Sequence, residues 1–508
     1  MDITHDPQHQ AEVDLKSKGL ASGSIGLIGG IILAISCVAP AYTLTATIGV
    51  LASDTGVNIP LIFIGGFLPM FFAAYAYREL NKVAPDCGTS FTWTTKAFGP
   101  IIGWLGGWAA ILATVIVLSN LAAVGVQFMY QFIGDIVDSQ WVSTLWQNTA
   151  VNILTTVAFI AIATWIAYIG VTTTERIQYW LVGFQMVALV VFGVAAIVKS
   201  TSSPTGIAFS WSWFSPAGLT LSAFVAGLSG SIFAFWGWDS ALTVNEETEG
   251  SDKTPGRAAL LSVISILLTY LLVSIGLIMY SGVGDTGLGL SNPEISDNVF
   301  GAVAPKILGD PWYLFLFAAV VLSSAASLIT TFLPTSRTLL AMGAYKAVPP
   351  VFAKIHPKYL TPSVATVVAG LGAAVFHTVL TIVSDNALRD TILSIGIMIT
   401  FYYSLTAFAC VWYFRKEWFS NASSFIFKLL LPLLGGLGLF VIFILTLKDS
   451  WDPDYGSGAA VAGIGLVFVL GVGLILSGLV LMAIWWARCP DFFKGETLRT
   501  DTPALVID

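Results

Sequence analysis

FAFWGWDSALTVNEE, residues Phe233–Glu247, lies inside an apolar run that begins near Leu219, yet it sets Gly237 between two tryptophans and then places Asp239. A carboxylate about twenty residues into a membrane-length apolar run is costly unless it faces a cavity or a partner, which makes it a functional-site candidate. A glycine between bulky neighbours at that depth is a place for a helix to come apart. The alternative is a weakened but continuous helix whose Asp239 pairs with a neighbouring helix.

Around this stretch the composition is that of a membrane protein. The 508 residues are 56% hydrophobic and only 10% charged, and mean hydropathy is +0.84. A soluble chain of this length would carry roughly a quarter charged residues. The apolar residues fall in about twelve runs of spanning length: 25–50, 57–78, 100–132, 149–169, 178–199, 219–246, 257–282, 312–343, 362–384, 389–413, 425–447 and 459–487. The expected class is an all-α polytopic membrane protein. Residues 1–20 hold no short apolar core followed by a small-residue cleavage site, so the first helix is expected to insert uncleaved. With the N-terminus placed in the cytoplasm, outer connections hold only Lys199, Lys306, Arg389 and Lys448 of the 22 Lys and Arg residues. That bias places both termini inside and points to a multi-pass protein of the plasma membrane. Trp141, Trp146, Trp211, Trp213, Trp312 and Trp451 fall at outer ends, as an aromatic belt would.

A counterpart to the opening stretch lies about 200 residues earlier, at AISCVAPAY (Ala34–Tyr42) in the first helix. The two stretches hold corresponding places in consecutive runs of five helices, and the second run starts after an odd number of crossings. Paired interruptions in inverted halves point to a transporter binding site near the membrane midplane. The expected organisation is a tail at 1–22, repeats at 23–200 and 201–415, two further helices over 416–487, and a polar tail at 488–508. The connection 282–311 is expected to hold a short helix around Glu294–Ala304.

Other chemistries find little support. Of the four histidines, His5 and His9 are in the tail and His356 is in a loop, leaving His377, so a catalytic constellation is hard to assemble. No Gly-x-x-x-x-Gly-Lys-Ser/Thr loop suggests a primary pump. Cys37, Cys87, Cys410 and Cys489 lack metal-ligand spacing and suggest no disulfide framework. No enzyme activity, cofactor, metal or nucleic-acid partner is expected. A channel or substrate sensor on the same fold remains the rival reading, although no repeated pore-lining ring is visible.

RELNKVAPDCGTSFTWTTKAFGP (78–100) resembles the amino acid–polyamine–organocation permeases, with Glu79, Leu80, Pro85, Gly88, Phe91, Trp93 and Gly99 in the family's places. EETEGSDKTPGRA (246–258) and TSRTLLAMGAYKAVPPVFAKIHP (335–357) resemble two further family segments. The resemblance implies a leucine-transporter-type fold, a five-plus-five inverted repeat with broken helices one and six and substrate held between the breaks. A half-helix N-terminus suits a carboxylate and unwound carbonyls suit an ammonium group, so an α-amino acid matches both.

Residue by residue, the implied substrate contacts are Ser36, Cys37, Val38 and Ala39 in the first break, where the family usually carries Gly-x-Gly. In the sixth helix Phe233 resembles the aromatic that closes over substrate, and Phe235, Trp236 and Gly237 resemble the unwound carbonyl stretch. Asp239 falls where arginine/agmatine antiporter-like members carry a Glu implicated in proton sensing, and Asn120 resembles a substrate-proximal Asn. Structural alternatives stand beside these roles: Ser36 and Cys37 as small packing residues, and Asn120 as an interhelical hydrogen-bond donor. The Lys that some proton-driven members carry in the fifth helix is missing before Lys199. Ser323, Ser324 and Ser327 either contribute hydroxyls to a sodium site or ease helix packing. The expected partners are a small-molecule substrate (an amino acid or polyamine), membrane lipid, and a proton or sodium ion for coupling. Asp239 beside Phe233, Trp236 and Trp238 slightly favours a cationic cargo, with neutral amino acids the alternative.

Overall fold

A computed structural model describes residues 18, 20, 23, 25–170, 172–384 and 387–503, the side chains of 172–177 and 387 excepted. Most of the expected tail 1–22, with Lys16, and the side chain of Arg176 lie outside the described residues.

The first apolar run does not form one rod. Helix α1 (Leu27–Val38) ends at Ala39, which adopts a left-handed conformation (φ 52°, ψ 65°), and α2 (Pro40–Thr55) starts at Pro40. Proline has no N–H to donate and disfavours the helical conformation in the residue before it, so the break falls where sequence chemistry puts it. The Thr43 hydroxyl donates to the Val38 carbonyl at 2.6 Å and satisfies one group that the break frees.

Helices α3 (Ile59–Val83), α4 (Ser90–Phe98), α5 (Pro100–Ile136), α6 (Thr149–Ile169) and α7 (Thr172–Lys199) complete the first half. Asn148 caps α6, its side-chain oxygen accepting from Ala150 N and Val151 N. Helix α8 (Leu221–Phe235) is capped by Thr220 and stops at Phe235; a turn through Gly237 (φ 112°) leads into the single turn α9 (Ser240–Thr243). Then follow α10 (Thr254–Ser281), α11 (Val299–Leu308), α12 (Tyr313–Ala344), α13 (Ser363–Val383), α14 (Ala387–Tyr413), α15 (Leu431–Asp449) and α16 (Leu474–Arg488).

Among the described residues ten helical stretches are long and apolar enough to cross a membrane. One of them, Leu27–Val83, contains the first two expected spans, and the shorter Leu221–Phe235 stands at the sixth. Helix α5 packs along α12, α14 along α15, and α8 against α2 and α3. The outer helices present large apolar side chains outward, among them Leu154 on α6, Val187 on α7, Val375 on α13 and Val480 on α16. Hydrocarbon is the solvent that tolerates such a surface, and helices that satisfy their own backbone are the elements that can cross it.

Three expectations shift. The helix in the long outer connection is Val299–Leu308, preceded by a 3-10 turn at Ser296–Asn298, so it starts and ends later than Glu294–Ala304. The twelfth run begins with a two-stranded antiparallel hairpin, Ala460–Val461 with Ile464–Gly465, before helical structure starts at Leu466. Gly463 (φ 81°) supplies the positive φ its turn needs. Trp213 is buried and so departs from the belt, whereas Trp141, Trp211, Trp312 and Trp451 are exposed.

The tail from residue 488 is folded against the protein. Phe492 is fully buried beside Phe91, with ring centroids 5.6 Å apart. Thr497 Oγ1 donates to the Tyr345 carbonyl at 2.6 Å, and Lys96 Nζ to the Thr502 carbonyl at 2.6 Å. Its apolar anchors are Phe492, Phe493 and Leu498, too few and too irregularly spaced in a polar stretch to give a periodic signal. Replacing Phe492 with Ala should cost about 3–5 kcal/mol, read as a lower thermal midpoint of the detergent-purified protein. An unchanged midpoint would mean that the docked tail contributes nothing to stability.

Candidate functional site

The two interruptions touch. A methyl group built on Gly237 would lie 3.0 Å from the Cys37 carbonyl carbon and 3.0 Å from Val38 N. The backbone of the sixth-helix turn thus runs against the first-helix break with no room for a side chain. Of the sequence-predicted residues, this brings together Cys37, Val38, Ala39, Trp236 and Gly237.

The freed polar groups are met by α12 and α7. Ser327 Oγ donates to the Cys37 carbonyl at 2.9 Å, and Cys37 Sγ lies 3.5 Å from Thr331 Oγ1. Ser36 Oγ donates to Gln178 Oε1 at 2.7 Å, and Gln178 Nε2 donates to the Ala326 carbonyl at 3.2 Å. Gln178, 1% exposed, is therefore an amide bridge between the broken first helix and α12. It opens the very segment in which a lysine was sought; its signal in sequence is a lone amide entering an apolar helix, where a polar side chain needs a partner. The serines divide. Ser327 reaches the break, whereas the Ser323 and Ser324 hydroxyls are buried without a hydrogen-bond partner among the described residues.

On the sixth-helix side, Trp236 Nε1 donates to Tyr402 Oη at 2.5 Å. Trp238 packs on Tyr77 and Tyr403, with ring centroids 5.0 and 5.2 Å away. Phe233 is buried, and Phe235 turns toward Phe63 and Tyr270, into the helix packing. Asp239, 6% exposed, makes no ion pair among the described residues. With Trp236, Thr243, Thr338 and Tyr402 it lines a narrow cavity of about 10 Å³, space for about one water. Tyr402 and Tyr403 escaped the sequence reading because α14 carries no interruption to mark them.

Asn120 belongs elsewhere. It donates to Thr391 Oγ1 at 2.8 Å and lines an open cavity of about 840 Å³ at the end expected to face outward. Gln127, Asp135, Glu294, Asp297 and His377 also line that cavity, which shares no lining residue with the gap beside Asp239.

The opposite end is sealed by buried charge. Arg337 donates to both carboxylate oxygens of Glu247 at 2.8 and 3.2 Å. Lys18 Nζ lies 2.7 Å from Asp86 and 2.6 Å from Glu246, and Asn245 donates to Asn81 at 2.6 Å. Burial alone would raise the Asp86 carboxyl; the Lys18 ammonium and donors on Thr92 and Tyr345 outweigh it and hold the group below the usual carboxylate range. Burial pushes the neighbouring Cys87 thiol well above its ordinary value.

Known proteins match this chain over most of its length. A sequence-family model described as amino acid permease matches residues 19–485. The glutamate/serine transporter AimA of Bacillus subtilis (strain 168) is 25% identical over 310 residues, which are 58% of this chain and 55% of that transporter. The low-affinity putrescine importer PlaP of Escherichia coli (strain K12) is 21% identical over 437 residues, 84% of this chain and 88% of that protein. The crystal structure of MhsT in complex with L-phenylalanine superposes with a TM-score of 0.60 at 14% identity, covering 82% of this chain and 98% of that one. At that identity the likeness shows the fold. The relatives are transporters, not enzymes.

The contact between the breaks is testable through its glycine. Gly237→Ala should destabilise the protein by about 1–3 kcal/mol, because the new methyl meets backbone at a positive φ. Gly230→Ala, whose methyl would meet the flexible Leu51 side chain, with Cδ2 at 3.1 Å and Cγ at 4.0 Å, should be tolerated. Equal thermal midpoints for the two variants would contradict the close approach.

Proposed function

The chain belongs to the amino acid permease family, and from that premise we propose that it is a secondary active transporter that moves amino acids or related amines across the plasma membrane by alternating access. The observation that carries this reading is the contact of two helix interruptions through Gly237. Paired breaks at midplane are how such carriers hold cargo between inverted repeats. The repeats would be residues 23–200 and 201–415, rocking about Ser36–Ala39 and Phe233–Asp239, with 416–487 as a flanking pair and both termini in the cytoplasm.

The cargo is an amine-bearing amino acid or polyamine, with cationic members favoured. Asp239 is buried without an ion pair among the described residues and sits beside Trp236. A cation meeting a carboxylate and aromatic faces out of water gains from both. The likeness to a putrescine importer agrees with this reading. A neutral amino acid is the second reading; of the two cargoes in the name of the similar glutamate/serine transporter, serine is neutral and fits it, whereas glutamate is acidic.

Coupling runs through protons or exchange. Hydroxyls alone are hard-cation ligands of modest strength, and sodium sites built on them normally add carbonyls whose remaining lone pairs face the ion. Here the Cys37 carbonyl is bonded to Ser327, and the Gln178 amide spans from Ser36 to Ala326. Asp239 is the group in the site able to take up and release a proton.

In proteoliposomes, arginine uptake should be saturable, respond to a pH gradient or internal substrate, and persist when choline replaces sodium. Loss of uptake without sodium would overturn the coupling assignment, and uptake without saturation or exchange would overturn the carrier itself. Asp239→Asn should weaken competition by arginine relative to leucine by about tenfold or more, the worth of a hydrogen bond to a charged group. An unchanged preference and an unchanged pH profile would remove Asp239 from the site.

A further inference from the structure

At the end expected to face the cytoplasm, a cavity of about 300 Å³ is lined by four cationic side chains, Arg78, Lys82, Lys253 and Arg257. Arg78 and Lys82 lie on the last turns of α3, Lys253 directly precedes α10, and Arg257 is in its first turn. Two packed helices thus turn their basic residues into one recess. Gly256 permits the approach, since a methyl group built there would collide with the Arg78 side chain. The Arg78 guanidinium is held against two rings, 4.8 Å from the Tyr75 centroid and 5.0 Å from that of Phe427.

The chain's own carboxylates do not balance the charge in this recess. Glu79 Oε1 accepts from Arg78 Nη2 at 2.7 Å and from Lys82 Nζ at 2.6 Å, and Asp252 lies 3.6 Å from Lys253 Nζ. The exposed Arg257 side chain makes no ion pair or hydrogen bond among the described residues. Four cations against two carboxylates leave two positive charges unmatched. The helix dipole sharpens the imbalance. Lys253 and Arg257 stand at the N-terminal end of α10, where a cation is disfavoured and an anion is favoured. Cations gathered at that position around an open volume are what an anion site requires.

The surroundings of the recess select the kind of anion. Along α10, Leu261, Ile264 and Leu268 follow Arg257 at helical spacing and share one face with it. They are exposed at 46%, 38% and 63%, so in a membrane this face meets hydrocarbon. A soluble phosphate would use the charges alone. A phospholipid uses the charges for its headgroup and the apolar stripe for its acyl chains. Basic recesses between spanning helices on the cytoplasmic side suit such headgroups.

We propose that the recess formed by Arg78, Lys82, Lys253 and Arg257 binds the headgroup of an anionic phospholipid whose acyl chains lie along Leu261, Ile264 and Leu268. Arg257 supplies the unpaired guanidinium, a planar fork that matches phosphate oxygens. The bound lipid joins the ends of α3 and α10, which stand in opposite repeats of the proposed carrier, so membrane composition sets how firmly those ends are held together. The inference uses no assignment of cargo or coupling, and its failure would leave the carrier reading standing.

The test titrates the detergent-purified full-length protein with dioleoylphosphatidylglycerol or dioleoylphosphatidylcholine in mixed micelles, and separately with inorganic phosphate. The readouts are the thermal midpoint and the lipid retained in native mass spectra. Phosphatidylglycerol should raise the midpoint and be retained, and phosphatidylcholine, whose headgroup carries its own cation, should do neither. Arg257→Gln should weaken the phosphatidylglycerol response by about tenfold or more, the worth of a hydrogen bond to a charged group. Lys354→Gln, at an exposed cation that does not line the recess, should leave the response unchanged. Lys253→Gln gives the same reading should Arg257→Gln not fold. Equal responses to the two lipids, or equal losses in Arg257→Gln and Lys354→Gln, would overturn the proposal. A matching response to inorganic phosphate would overturn the lipid as the occupant.

Discussion

Backbone that leaves the helical conformation at membrane depth must be satisfied by protein, because hydrocarbon offers neither donors nor acceptors and each orphaned group costs several kcal/mol. The centre of this molecule is arranged around that constraint. The Val38 carbonyl is met by Thr43 and the Cys37 carbonyl by Ser327, while the turn after α8 closes on itself through Trp236 N and the Phe233 carbonyl at 2.9 Å. Helices α7 and α12 bring Gln178, Ser327 and Thr330 to the break, with Thr330 Oγ1 3.3 Å from Ser36 Oγ. Gly237 then lets the two interruptions approach each other, since any side chain there would meet the Cys37–Val38 backbone.

The same chain closes one end and leaves the other open. The cavity of about 840 Å³ is lined by amides and carboxylates of α5 and the outer connections, and by His377 and Thr381 of α13. At the opposite end the Lys18, Arg337 and Asn81 contacts are all buried and all join elements distant in sequence. Separating a buried ion pair leaves each charge without compensation, at a cost of about 3–5 kcal/mol when one partner is lost. Opening this end therefore requires water, a proton or another ion to take over each pair. The docked tail adds to the same closure, since Thr497 holds the Tyr345 backbone while the Tyr345 hydroxyl holds Asp86.

Legibility in the sequence followed the range of the interaction. Span lengths are local properties of composition, and so is the break at Ala39, which the following Pro40 imposes. Both breaks fall inside the stretches that Pro40 and Gly237 mark, because Pro and Gly act through their own dihedral angles, but which residue of Ser36–Pro40 turns was open by a few positions in the sequence. The partners were not legible. Gln178 meets Ser36 across 142 positions and Lys18 meets Glu246 across 228, and no periodicity encodes which of many polar residues in apolar helices will meet. Ser323 and Ser324 illustrate the limit: from sequence they are indistinguishable from Ser327, and one further turn of α12 decides which hydroxyl reaches the Cys37 carbonyl.

Asp239 and Glu246 show how differently one short stretch can use the same chemistry. Both are buried carboxylates in Phe233–Glu247, yet Glu246 has a cation of the chain's own at 2.6 Å and a backbone donor at 2.9 Å. Asp239 has no cation paired with it among the described residues; its carboxylate is met by the Tyr403 hydroxyl and its own backbone N–H, beside an aromatic wall and space for about one water. A carboxylate whose charge is already matched works as a fastener, and its removal loosens the structure. A carboxylate left unmatched beside a cavity is an unfilled requirement, and a proton or a cationic cargo meets it equally well. Under the transport mechanism proposed above, that equivalence would let a single buried acid link the movement of cargo to the movement of protons, the site holding one or the other in turn.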